Sequence, residues 1–144
     1  MTKFLLLTTC ALITIACGTP DAPLEPHPQV GSAPGAITKL GTVEVKSGLS
    51  PEQINRVVAR RLPRIHACYT QALKKNADRG GKIILTWQVA PDGRAGDIGV
   101  LSSSVLDADM EGCVKHALRK LDHPQPADGK KAAITCPITF SLHD

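Results

Sequence analysis

Aromatic side chains are nearly missing from this chain, with one tryptophan, one tyrosine and two phenylalanines in 144 residues. A surface that stacks nucleic-acid bases relies on such rings, so their scarcity argues against that role. Long apolar runs are missing too. The longest, Phe4 to Ile15, falls short of the roughly 20 residues that a membrane-spanning helix requires. Catalytic patterns are equally thin. Ser102, Ser103 and Ser104 follow a strand without a glycine-framed elbow, and Asp92 and Asp97 read as turn and strand-surface residues. Neither group supplies a nucleophile with its base or a carboxylate pair in a cleft, so no enzyme and no cofactor is expected.

What is present begins at the N-terminus. Lys3 precedes the short apolar run, which has the length and flanks of a secretory signal peptide over residues 1–16. The run closes with Thr14-Ile15-Ala16-Cys17, which resembles the lipobox of bacterial lipoproteins. On this reading Cys17 becomes the lipidated first residue of the mature chain, and several acyl chains give a stable anchor where a single one is marginal. Gly18 rather than aspartate follows, so the resemblance implies the outer membrane, facing the periplasm. That compartment is oxidising, and paired cysteines in it become disulfides. Export makes nucleic acid an unsuitable partner.

Residues 17–40, rich in proline, glycine and alanine, read as a flexible tether without hydrophobic period. The remaining residues, 41–144, suffice for one small core. "TVEVK" (42–46) alternates as a short strand. Ser50, Pro51 and Gln53 form a capping box with proline at the first helical position, and Leu49 and Ile54 stand where a staple would clamp the helix entry. Ile54, Val57, Val58, Leu62, Ile65, Cys68, Ala72 and Leu73 keep helical spacing, with a kink or break expected at Pro63. Ile83, Leu85, Trp87 and Val89 alternate in a strand that leads through Pro91-Asp92-Gly93 into a weaker return strand. A second helix capped by Asp107 carries Met110, Cys113, Val114, Ala117, Leu118 and Leu121 as an expected core stripe. The last strand alternates Ile134, Cys136, Ile138, Phe140 and Leu142, and Pro137 places it at an edge or at a bulge. The order β-α-β-β-α-β with a hairpin predicts an α+β fold, two helices packed on one face of a small antiparallel sheet.

"GLSPEQINRVVARRLPRIHACY", the hairpin through "PDG", "SS", the helix carrying "CV" and the closing strand with proline and phenylalanine together resemble the AgmX/PglI C-terminal domain. That family is the myxobacterial-type branch of the TonB C-terminal-like superfamily. The resemblance spans about residues 42–142 and implies a TonB-like fold in a non-enzymatic envelope protein, with some members associated with gliding motility. It also implies that the cysteines of "ACY" and "GCV", here Cys68 and Cys113, are a recurrent pair that the oxidising compartment would join. Pairings of either with Cys136 remain open. The chain departs from the family where Leu121-Asp122-His123 replaces aromatic residues and where Cys136 is added. TonB-type energy transducers carry an inner-membrane helix, and here a lipoprotein signal stands in its place.

His66, Cys68, Cys113 and His116 are a plausible tetrahedral donor set, yet His66 points about 200° away from Cys68 around a helix of 3.6 residues per turn. No metal is therefore expected. Arg56, Arg60 and Arg64, joined by Arg61, recur as a basic stripe. The bland reading is a solvated face; the functional one is contact with anionic lipid, cell-wall polymer or an acidic partner. The leading functional expectation is a protein-interaction domain that accepts a partner strand at a sheet edge, and the alternative is an envelope-binding module that uses the basic face.

Overall fold

The structure is a computed structural model that describes residues 35–119 and 121–142. The expected signal peptide, Cys17 and nearly all of the expected tether lie outside the described residues. The elements, in chain order, are β1 (Ile37–Leu40), β2 (Glu44–Lys46), α1 (Pro51–Ala59), α2 (Leu62–Lys75), β3 (Gly81–Val89), β4 (Gly99–Ser103), α3 (Ala108–Leu118) and β5 (Ala132–Ser141).

α1 starts as its sequence dictates. The Ser50 hydroxyl accepts from the Gln53 backbone N–H at 3.2 Å, and the Gln53 side chain accepts from the Ser50 N–H at 2.8 Å, so two free donors of the first turn are satisfied reciprocally. Ile54, Val57 and Val58 face the core. The helix then stops at Ala59, upstream of Pro63, where the Arg61 N–H bonds to the Val58 carbonyl at 2.8 Å. A new helix begins at Leu62, which puts Pro63 in its first turn. No intrahelical donor is needed there, so the proline starts a helix instead of kinking one. One expected helix thus becomes two, and the element order is β-β-α-α-β-β-α-β.

Tyr69 is fully buried on α2, its ring 5.3 Å from that of Phe140 and its hydroxyl donating to the Arg79 carbonyl at 2.7 Å. α3 is capped as expected, with the Asp107 carboxylate accepting from the Met110 N–H at 3.0 Å. Met110, Val114, Ala117 and Leu118 are buried. Cys113, placed on that stripe by periodicity, is exposed at its margin.

The sheet runs β1-β5-β3-β4, antiparallel throughout, with β2 also paired to β5. Two expectations fail here. Residues 37–40 belong to the sheet as β1 and not to the tether, because Ile37 to Leu40 pair with Ile138 to Ser141. β5, expected at an edge or bulged at Pro137, is central and pairs with β3 in unbroken register. Its register explains how it tolerates Pro137. β2 pairs with Ala133 to Thr135 and β1 with Ile138 to Ser141, so the proline falls opposite the gap between them. The Pro137 carbonyl accepts from the Gly41 N–H at 2.8 Å, so the side on which Pro137 lacks a donor is the side where β1 gives way to β2. Gly41 permits this close pass, since a Cβ there would lie 3.0 Å from the Pro137 ring.

On one sheet face Ile83, Leu85, Trp87 and Val89 of β3 pair with Ile138, Cys136, Ile134 and Ala132 of β5, and all eight are buried. They form one core with the apolar faces of the three helices. The opposite face carries Lys82, Thr86, Gln88, Thr135 and Thr139, none of them buried. The α+β class and the antiparallel sheet with helices on one face stand as expected.

Candidate interaction site

Cys68 of α2 and Cys113 of α3 form a disulfide with their Cα atoms 5.8 Å apart. Cys68 is buried and Cys113 exposed, so the bridge crosses from the core margin to the surface. Two ion pairs flank it: Lys75 with Asp109 at 2.7 Å and Arg79 with Asp107 at 2.8 Å. The second is the better shielded, its side chains retaining 20% and 10% exposure. Arg79 and Asp107 therefore hold the start of α3 against the turn after α2. The cavity beside the bridge measures about 60 Å³, too small for a substrate. With its sulfur spent in the bridge, Cys68 is neither nucleophile nor metal ligand. Cys136 is a free thiol buried in β5, and burial pushes its pKa up to about 12, so it stays protonated and inert.

The other chemical candidates separate in space. His66 is hydrogen-bonded to the Thr38 hydroxyl at 3.1 Å and so ties α2 to β1. His116 is exposed at the end of α3. Among the described residues no three histidine, cysteine or acidic side chains come together as a metal site. The Ser104 hydroxyl accepts from the Lys82 N–H at 2.9 Å and the Ser103 hydroxyl from the Val105 N–H at 3.3 Å; both serve the chain reversal after β4. Asp92 accepts from the Arg94 N–H at 3.1 Å, as a turn residue does. Arg56, Arg60 and Arg64 are all exposed, but they fall on α1, on the connection and on α2 in turn, so no single helix face carries them.

His123 was legible only as a departure from aromatic residues, and it is buried. Trp87 Nε1–H donates to its Nε2 at 3.1 Å, while its Nδ1 lies 3.1 Å from the Leu121 carbonyl. A carbonyl can only accept, so the proton sits on Nδ1 and the imidazole is neutral. Burial lowers its pKa, against the opposing effects of the Leu121 hydrogen bond and the Asp122 charge.

The two outer edges of the sheet remain. One is formed by β1 and β2, interrupted at residues 41–43 and carrying Lys39, Glu44 and Lys46. The other is β4, five residues without charge or proline. A register shift opposite Ile84/Leu85 leaves Leu101 out of the pairing, and Leu101 is 63% exposed. Leu106, just beyond, is 86% exposed with φ +53°, a left-handed conformation that bulky residues rarely adopt. These are the exposed large hydrophobic residues of the described chain. Sequence reasoning missed them because single leucines beside a serine run carry no periodic signal.

No protein-family model matches the sequence, and no match emerges among curated proteins. Among solved structures the chain is similar to two TonB C-terminal domains. That of Helicobacter pylori (residues 179–285) has 19% identity and a TM-score of 0.40, with 67% of this chain and 87% of that one covered. That of Pseudomonas aeruginosa has 24% identity and a TM-score of 0.37, with 51% of this chain and 74% of that one covered.

Proposed function

We propose that this chain is a non-enzymatic, lipid-anchored protein of the periplasmic face of the outer membrane, whose folded domain captures a protein partner by strand addition at β4. The observation that carries the reading is the contrast in edge protection. Free sheet edges template pairing with other chains, and folded proteins ordinarily blunt them with charge, proline or interruption. β4 has neither charge nor proline; it presents Leu101 to solvent at its outer edge, and Leu106 is exposed three residues beyond its end. Partner main-chain hydrogen bonds would supply affinity there and the leucines would supply side-chain contacts. Attachment through Cys17 and membership of the AgmX/PglI branch, with its link to gliding envelope machinery, belong to the same proposal and rest on the sequence motifs alone.

Capture from envelope extract with the non-reduced full chain tests it. Wild-type chain is expected to retain a discrete partner that Leu101→Lys loses, because a lysine on an edge opposes pairing. Equal capture by both would sink the reading. Envelope binding through the basic helix face is the second reading, favoured by the exposure of Arg56, Arg60 and Arg64. Reversing those three charges should abolish wall or lipid binding and spare strand addition.

A further inference from the structure

The chain does not run straight from the hairpin turn into β4. Val89 and Ala95 form one bridge, and Thr86 and Gly99 form the next pair. Between them three residues, 96–98, stand against two of β3, Trp87 and Gln88. The Gly96 N–H returns to the Gln88 carbonyl at 2.8 Å. An extra residue of this kind bends its strand and re-aims the side chains around it. Here it opens a cavity of about 340 Å³ lined by Thr86, Trp87, Gln88, Gly96, Asp97 and Gly99.

The cavity lies on the sheet face turned away from the helices. Thr86 and Gln88 belong to that face, while Trp87 is buried on the other and turns main chain to the cavity. Two glycines keep the space open. A Cβ at Gly99 would lie 3.6 Å from the Thr86 methyl, and one at Gly96 would lie 3.5 Å from the Gln88 carbonyl oxygen. The side chains that remain, Thr86, Gln88 and Asp97, each offer an oxygen acceptor. No large apolar side chain enters the lining, so an aliphatic or aromatic occupant gains little by burial there. Asp97 is exposed and makes no ion pair among the described residues. The cavity thus holds one uncompensated negative charge beside two neutral acceptors, and its complement is a cation with several donors.

We infer that this cavity receives a basic side chain, arginine in preference to lysine, from the strand that adds to β4. This assignment rests on the strand-addition reading and fixes the partner's chemistry at one position. A partner residue directly opposite Gly99 projects to the same sheet face, where Gly99 has no side chain to meet it. Asp97, two residues before Gly99, is then its diagonal neighbour, within reach of a long side chain. The methylene stem would lie over the Thr86 methyl while the charged head meets the Asp97 carboxylate and the Gln88 side-chain carbonyl. A planar guanidinium fork matches carboxylate oxygens in pairs, which an ammonium does not.

The test uses the full chain and acetylated, amidated peptides of alternating threonine and valine that differ only at the central residue, which is arginine, lysine, glutamine or glutamate. Affinity is read by fluorescence anisotropy at fixed ionic strength, and the Gly99 and Leu101 amide resonances report pairing along β4. The arginine peptide is expected to bind on the order of fivefold more tightly than the glutamine peptide, the upper range for an exposed cross-strand ion pair. Lysine should fall between them, and glutamate should bind weakest. Asp97→Asn should erase this ranking and leave the affinity of the glutamine peptide unchanged. Gly99→Val, which fills the cavity, should erase it too. Asp78→Asn removes the same charge at an exposed site outside the cavity and should preserve it. Thermal unfolding of each variant checks that the fold is intact. Amide shifts along β4 with equal affinity for the arginine and glutamate peptides would overturn the basic-residue assignment and leave strand addition standing. A ranking that survives Asp97→Asn would overturn it as well. No amide shift in β4 with any peptide would overturn both.

Discussion

The two edges of this sheet are built on opposite plans. The β1/β2 edge is broken opposite Pro137, studded with Lys39, Glu44 and Lys46, and tied down by the Thr38–His66 hydrogen bond. The β4 edge is uncharged and held at its far end, where the chain turns through Leu106 into a helix fixed to α2 by a disulfide and one ion pair and to the turn after α2 by another. Both edges expose backbone groups; one is defended by charge and interruption, and the other carries only the register shift at Leu101. The difference teaches that protection at an edge is a local property of sequence. Where protection is withheld beside exposed leucines, the surface reads as a docking strand.

The largest expected effect comes from removing the brace behind β4. Replacing Cys68 and Cys113 by alanine opens a loop of sequence separation 45 and should cost about 4 kcal/mol in the chain-entropy account, measured by chemical denaturation. Amide exchange should then rise in α3 and β4 more than in β1; a uniform rise would mean the bridge does not single out the β4 side. Next, Gly41→Val strikes the opposite edge. Its Cβ would come 3.0 Å from the Pro137 ring, and overpacking of this kind costs about 1–3 kcal/mol. Exchange should quicken in β1 and β2 and leave β4 unchanged.

Acid sharpens the comparison at the hairpin that leads into β4. His123 is neutral in the fold with a pKa below its ordinary 6.5, so the unfolded chain takes up its proton first. Its contribution is therefore complete above pH 6.5 and declines as pH falls from there towards the lower folded value. Protonated Nε2 would turn an N–H on the Trp87 N–H, so Trp87 emission should change over the same window. His123→Phe should remove that pH dependence, and a wild-type profile flat between about pH 8 and pH 5 would contradict it. The smallest stability effect is expected from Leu101→Lys, within about 0.5 kcal/mol by thermal unfolding because the side chain is exposed. Its consequence should appear in partner capture alone.

Much of this fold could be read from sequence wherever local rules act alone. The Ser50 box, the Asp107 cap, the Pro91-Asp92-Gly93 turn and the alternation of β3 and β5 each follow from a few adjacent residues, and each is present. The Cys68–Cys113 pairing was legible through resemblance, while the exposure of Cys113 was not, because a bridge can form at the margin of a helix stripe. What escaped depends on distant partners. Ile37–Leu40 has no signal of its own and becomes a strand only because β5 lies beside it. Pro137 argued for an edge or a bulge, and the interruption opposite it, which makes a central proline tolerable, is set by Gly41 nearly a hundred residues earlier.

The unequal edges are tested most directly by placing a photocrosslinking amino acid at Leu101 on one edge and, separately, at Lys46 on the other. After irradiation in envelope extract, the chain is expected to yield one discrete adduct from position 101 and none from position 46. Adducts from position 46 with none from position 101 would contradict the assignment of β4 as the docking strand.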